Sequence, residues 1–143
     1  MKIFLAGIIQ GSLVEEDIHK QDWRDPIREL IDKYIPNAEI YCHFSQHPNS
    51  IEYSGDKIRE TFDQGVQACI DADLVIAYLP SASMGTAIEI YEAYRNKTTV
   101  LTISKMFANW VVKLYSHAVV ADFAELEEFL KAGKLEKLMQ TSR

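Results

Sequence analysis

The chain has 143 residues, 48% of them hydrophobic and 25% charged, the composition of one globular domain with enough chain for a packed core. Its formal net charge of -6 excludes the broad basic footprint that duplex nucleic acid requires. No run of about 18 apolar residues is present, which excludes a helix spanning a membrane. Cys42 and Cys69 are isolated, with no CxxC or Cys/His ligand spacing, and read as two buried reduced thiols of a cytoplasmic protein.

In chain order, Lys2 to Gly7 (KIFLAG) is an apolar run ending in glycine and reads as the first strand, with no secretory cleavage pattern behind it. A polar stretch from Gln10 to Gln21 makes a long loop. Asp22 and Pro26 open a helix in which Ile27, Leu30, Ile31 and Tyr34 share a face, and Pro36 with Asn37 stops it. Ala38 to Cys42 is a short second strand, and a second polar loop runs from His43 to Gly55. Ile58, Phe62, Val66 and Ile70 mark the apolar face of the next helix.

Leu74 to Leu79 (LVIAYL) is continuously apolar, as a strand buried on both faces of a parallel sheet must be. A helix follows from about Met84 to Tyr94, then a fourth strand from Thr99 to Ile103. Phe107 to Leu114 reads as a short helix and Ala118 to Val120 as a fifth strand. Asp122 and Glu125 form a capping-box-like start to a last helix carrying Leu126, Phe129 and Leu130, which Gly133 ends. The domain is thus residues 1–133, with 134–143 a short charged tail. The alternation of strands and helices predicts an α/β, flavodoxin-like (Rossmann-like) three-layer sandwich around a five-stranded parallel sheet. In such sheets ligands bind beyond the carboxyl ends of the strands, where Gly7 to Ser12, Pro80 to Thr86 and the loop before the second long helix should meet.

The segment Ser81 to Glu89 is the most suggestive for chemistry. A small, polar, glycine-containing turn between a buried strand and a helix exposes backbone N–H groups that suit an anion. Gly85, Thr86, Glu89 and Ala93 fall on one helical face, so a single carboxylate is surrounded by small residues that leave room for a ligand. Read locally, Glu89 and Glu92 fit better as solvated helix positions with Arg95 pairing nearby. Gly7, Gly11 and Ser12 of the first loop could bring amides and a hydroxyl to the same anion. Asp71 and Asp73 read as helix-terminating residues, and Asp63, beside Phe62, as solvent-exposed. Phe4, Trp23 and Tyr53 are candidates to stack on a ring, each equally readable as packing. His43 and His47 would pair on a metal only if Phe44 to Gln46 were helical; Pro48 and the polar composition favour a loop, and no metal site is expected. There is no GxSxG, Walker loop or GxGxxG.

Three stretches resemble the nucleoside 2-deoxyribosyltransferase superfamily, nearest its 2′-deoxynucleoside 5′-monophosphate N-hydrolase and CMP hydrolase branch, over about residues 2 to 130. KIFLAG, with glycines at 7 and 11, is similar to the family's first strand and substrate loop. Ala72-Asp73-Leu74-Val75-Ile76-Ala77 is similar to its third strand, and Ser83-x-Gly85-x-x-x-Glu89 followed by Ala93 to its catalytic signature. The resemblance implies that Glu89 is the nucleophile capturing the anomeric carbon. It implies substrate contacts from Phe4, Gly7, Ile9, Gln10, Gly11, Ser12, Ser83, Gly85 and Thr86.

Ser83 stands where the transferases carry an aspartate, which would repel a phosphate dianion, so serine implies a 5′-monophosphate substrate. Gln10 departs from the arginine of the related hydrolases and removes a charge from the phosphate site. The resemblance further implies that Asp63, or Asp73 if the alignment shifts, protonates the departing base. Asn109 would reach across to a second subunit of a homodimer or larger homo-oligomer with a shared active site. No metal or organic cofactor is implied. Three functions follow: a nucleotide N-glycosidase, a deoxyribosyltransferase exchanging bases between nucleosides, or a nucleotide-binding sensor without turnover.

Overall fold

A computed structural model of the chain describes residues 1–15 and 17–142; Glu16 of the first loop and Arg143 of the last segment lie outside the described residues. Five strands, β1 (Lys2–Gly7), β2 (Glu39–Tyr41), β3 (Leu74–Tyr78), β4 (Thr99–Ile103) and β5 (Ala118–Val120), form one sheet in the order β2-β1-β3-β4-β5. Every pairing is parallel, so the sequence-predicted flavodoxin-like layout is the one observed. The helices are α1 (Arg24–Tyr34), α2 (His43–Gln46), α3 (Asp56–Ile70), α4 (Met84–Arg95), α5 (Trp110–Tyr115), α6 (Phe123–Lys131) and α7 (Lys134–Thr141).

Alternation along each strand sorts the core into two halves. Ile3, Leu5, Leu74, Ile76, Leu101 and Ile103 face α1, α6 and α7, meeting Ile27, Ile31, Leu126, Leu130 and Leu135. Their neighbours Phe4, Ala6, Val75, Ala77 and Val100 face α3, α4 and α5, meeting Cys69, Ile90, Ala93 and Val112. Because the chain passes from β1 outward to β2 and returns to β3 on the other side, the strand order reverses between β1 and β3. The helices that follow these two strands leave on opposite faces, and a crevice opens at their carboxyl ends.

Several local expectations need correction. The stretch from His43 to Gly55, expected as loop, holds α2 and a 3-10 turn at Ser50–Glu52. The His47 N–H donates to the His43 carbonyl at 2.9 Å and closes the α2 turn before Pro48 is reached, so the proline does not break it. Residues 134–142, expected as a charged tail, include α7: Gly133, at φ +64°, turns the chain, and Leu135 is 3% exposed with Met139 one turn on, packed on the same core. The second long helix is also rotated from its expected face. Thr61, Gly65 and Cys69 are its buried residues, while Ile58 and Phe62 stand 53% and 39% exposed. The start of α1 has Trp23 as its N-cap with no side-chain cap, in place of Asp22. The capping-box-like start of α6 is observed: the Glu125 N–H donates to the Asp122 side chain at 3.0 Å, and the Glu125 side chain accepts from the N–H of Ala121, just before the cap, at 2.7 Å.

Candidate active site

The crevice between β1 and β3 holds a cavity of about 290 Å³. The first loop contributes Gly7, Ile9, Gln10 and Gly11, and the start of α4 contributes Ser83, Met84, Gly85, Thr86 and Glu89. The α3 helix supplies Ile58, Thr61, Phe62 and Gly65, and the segment after β2 supplies His43, Ser50, Ile51 and Tyr53. Sequence reasoning missed the α3 wall because its apolar residues were assigned to the core. It missed His43 because its segment read as loop; the only available signal was the conditional pairing with His47.

Two positions fix the backbone around the cavity. Gly7 leaves no room for a side chain, since an added Cβ would lie 2.6 Å from Trp23 Cζ2 and 3.0 Å from the Tyr78 carbonyl oxygen. At the other wall, Ser83 is the extended N-cap of α4, accepting from the Thr86 N–H at 3.4 Å, with the two hydroxyls 3.0 Å apart. When Thr86 is the donor of that hydroxyl pair, the Ser83 proton is available to a ligand at the helix N-terminus, where unpaired amides favour an anion.

Glu89 lines this cavity, whereas Glu92 takes the surface role, 3.5 Å from Arg95. The Cys69 thiol donates to the Glu89 carbonyl at 3.2 Å and ties α3 to α4 at this turn. Loss of hydration pushes the Glu89 carboxyl up to about 8, against the pull of the Arg24 guanidinium and with a smaller push from Cys42. Arg24 is 4% exposed, a cation held in the protein by partners on several sides. Its Nε donates to Cys42 Sγ at 3.0 Å, its Nη1 donates to the Gln21 carbonyl oxygen of the side chain, and its guanidinium lies 3.9 Å from the centre of the Trp23 ring. Burial opposes ionisation of Cys42, but hydrogen bonding to Ser45 and the Arg24 charge outweigh it and bring the thiol below its ordinary value. Burial, His47 and Arg24 together lower His43.

Gly7, Ile9, Gln10, Gly11, Ser83, Gly85, Thr86 and Glu89 are therefore brought together as the sequence led one to expect. Phe4, Ser12, Asp63, Asp73 and Asn109 are not among the cavity's lining residues. Phe4 is wholly buried, stacked on Tyr41 with ring centroids 5.4 Å apart, so it is core. Trp23 likewise packs on Tyr78. Ser12 and Asp63 are exposed. Asp73 accepts from the Lys2 N–H at 2.8 Å at the amino end of β3, the edge of the sheet opposite the cavity. Asn109 caps α5, accepting from the N–H groups of Val111 and Val112 at 3.0 and 3.3 Å. Phe44 to Gln46 are helical after all, and the rings of His43 and His47 lie 5.2 Å apart. Among the described residues, however, no group of three His, Cys, Asp or Glu side chains is placed to hold a metal ion.

No family model matches the chain, and no curated protein matches its sequence. Solved structures match its fold. A 2-deoxyribosyltransferase from Bacillus psychrosaccharolyticus aligns with a TM-score of 0.65 at 15% identity, over 89% of this chain and 90% of that one. A conserved protein from Enterococcus faecalis V583 aligns with a TM-score of 0.61 at 20% identity, over 93% and 98%. The CMP N-glycosidase BcmB of Clostridium botulinum aligns with a TM-score of 0.53 at 19% identity, over 95% and 99%. Along nearly its whole length, this chain has the fold of a 2-deoxyribosyltransferase and of a CMP N-glycosidase.

Proposed function

We propose that the protein is an N-glycosidase that cleaves the bond between base and sugar of a (deoxy)nucleoside 5′-monophosphate, with Glu89 as nucleophile. The observation that carries this reading is one carboxylate, shielded from water, in a nucleoside-sized cavity at the β1/β3 switch point, with α4 amides and Ser83 beside it. Departure of the base leaves an oxocarbenium-like sugar. A poorly hydrated carboxylate is costly alone but gains most from a neighbouring cation, so the burial that raises the Glu89 carboxyl strengthens its attraction to that transition state. Glu89 then bonds to the anomeric carbon, and water hydrolyses the glycosyl-Glu89 ester. With a second base in place of water the same intermediate yields a deoxyribosyltransferase, the reading favoured by the fold shared with the Bacillus enzyme.

The 5′-phosphate is assigned to the α4 N-terminus and Ser83, with Gln10 offering an uncharged contact in the facing loop. A homodimer completes the proposal. Met84, Ile88 and Tyr91 recur along one side of α4 and are exposed, as are Phe107, Trp110 and Leu114 near or on α5, which packs against α4. Covering this apolar surface with a second copy would bring Asn109 toward the partner's cavity mouth, where Met84 already stands. The two buried free thiols suit a reducing, cytoplasmic setting.

The test is a screen of nucleosides and 5′-monophosphates for free base, with and without a second base, alongside Glu89→Ala. Release of base that depends on Glu89 supports the proposal, and a new nucleoside in the presence of second base shifts it to the transferase. Thermal stabilisation by nucleotide without any base release would instead mark a sensor.

A further inference from the structure

The reaction needs a proton for the departing base, and neither aspartate expected to give it lies in the cavity. Among the described residues, the ionisable side chains lining the cavity are His43, Tyr53 and Glu89. Glu89 is committed to the sugar. The Tyr53 hydroxyl is 3.3 Å from His47 Nδ1, and its ring is covered by Lys57 Nζ at 3.7 Å from the centre. His43 remains, and its ring nitrogens have no hydrogen-bond partner among the described residues.

The facing helix is shaped around that ring. Gly65 sits in the middle of the 15-residue α3, where glycine costs about 1 kcal/mol relative to alanine. A Cβ there would meet His43 Nδ1 at 3.2 Å, closer than side chains ordinarily pack. The glycine thus allows the imidazole to lie against the α3 backbone and stay in the cavity wall. Resting on the N-glycosidase reading above, we propose that His43 is the general acid that protonates the departing base and the general base that activates the hydrolytic water.

The step balances. The C1′–N bond breaks with its electron pair going to the base. The His43 imidazolium gives its proton to that base and becomes neutral, and a Glu89 oxygen bonds to C1′. In the second half neutral His43 takes a proton from water as the water oxygen bonds to C1′, and the C1′–Oε bond returns its pair to Glu89. The charges acting on His43 are His47 at the end of α2 and Arg24 from α1; Glu89 of α4 and Tyr53 line the same cavity, and α3 brings the Gly65 backbone against the ring. The active pair carries one proton in total, whether on His43 or on Glu89, so activity should peak between the lowered His43 value and the raised Glu89 value.

The experiment measures kcat/KM against pH for the wild type, His43→Gln and His43→Asn. Two substrates are compared, the best natural nucleotide and a nitrophenyl glycoside of the same sugar phosphate, whose leaving group departs as an anion without a proton. For the natural base we expect a loss of about 10²-fold or more, within the ~10²–10⁴-fold range of general acid catalysis. The alkaline limb of the profile should vanish, leaving activity that rises with ionisation of Glu89. For formation of the glycosyl-enzyme, read as the nitrophenolate burst, the same variants should stay near the wild-type rate. Equal losses on both substrates, or an unchanged bell-shaped profile in a folded variant, overturn the role of His43 alone. A wild type that releases no base from any substrate overturns the N-glycosidase reading itself, and His43 with it.

Discussion

Replacing Glu89 by glutamine removes a carboxyl that the folded chain ionises only near pH 8, against an ordinary value of 4.5. The unfolded chain is therefore ionised at this position from about pH 5 upward, while the folded chain still holds the proton. The stabilising contribution of that proton is fully present below 4.5 and is lost as pH rises through about 8. Between pH 6 and pH 8 the linkage relation makes the wild-type loss about 2 kcal/mol, and the open side of the cavity trims this to roughly 1–2 kcal/mol. Glutamine does not titrate, so the difference in stability between Glu89→Gln and wild type should grow by that amount. For a chain of this size it corresponds to roughly 3–6 °C in melting temperature. Thermal or urea unfolding of both proteins at pH 6, 7 and 8 reads it directly. Parallel curves would refute the reasoning, because they would mean that Glu89 is as well hydrated in the fold as out of it.

Arg24→Met removes the cation that pulls the Glu89 carboxyl down, so its ionisation should move above about 8. Arg24 also lowers His43, so both limbs should move together and the optimum of the kcat/KM profile should shift to higher pH; an unmoved optimum would count against this coupling. Gly7→Ala places a Cβ 2.6 Å from Trp23 Cζ2, and a forced shift of this kind costs about 1–3 kcal/mol, measurable by urea unfolding. Leu135→Ala should cost about 2–4 kcal/mol, because α7 closes one half of the core; a loss under half a kcal/mol would restore the reading of this segment as a loose tail.

β1 and β3 were legible because burial on both faces makes them nearly continuous apolar runs, and β4 because its two buried threonines are β-branched strand formers like the valine and isoleucine beside them. At Glu89 the local pattern left a ligand-facing carboxylate and a solvated helix position both open, and the resemblance of the Ser83-to-Glu89 stretch singled it out. Ile58 and Phe62 misled because a ligand cavity is itself walled by apolar residues, so periodicity mixes its lining with the core. Arg24 was invisible: a charged residue in the first turn of a helix ordinarily reads as solvated, and only its contacts with Cys42 and Trp23 show otherwise. Asp63 and Asp73 were chosen by residue type and spacing, which carry no information about direction. Asp73 precedes β3 when the crevice lies beyond its other end. His43 and Gly65 lie on different elements, and nothing local to either reveals that one fits against the other.

The most direct measurement of the central claim is covalent trapping. A 2-fluoro analogue of the best substrate, whose electronegative substituent slows both formation and breakdown of an oxocarbenium-like state, is incubated with the protein and the digest is read by mass spectrometry. The expected result is the mass of one sugar phosphate on the peptide containing Glu89, and none on the Glu89→Gln protein. Release of base by Glu89→Gln at the wild-type rate, with no sugar on that peptide in the wild type, would contradict it.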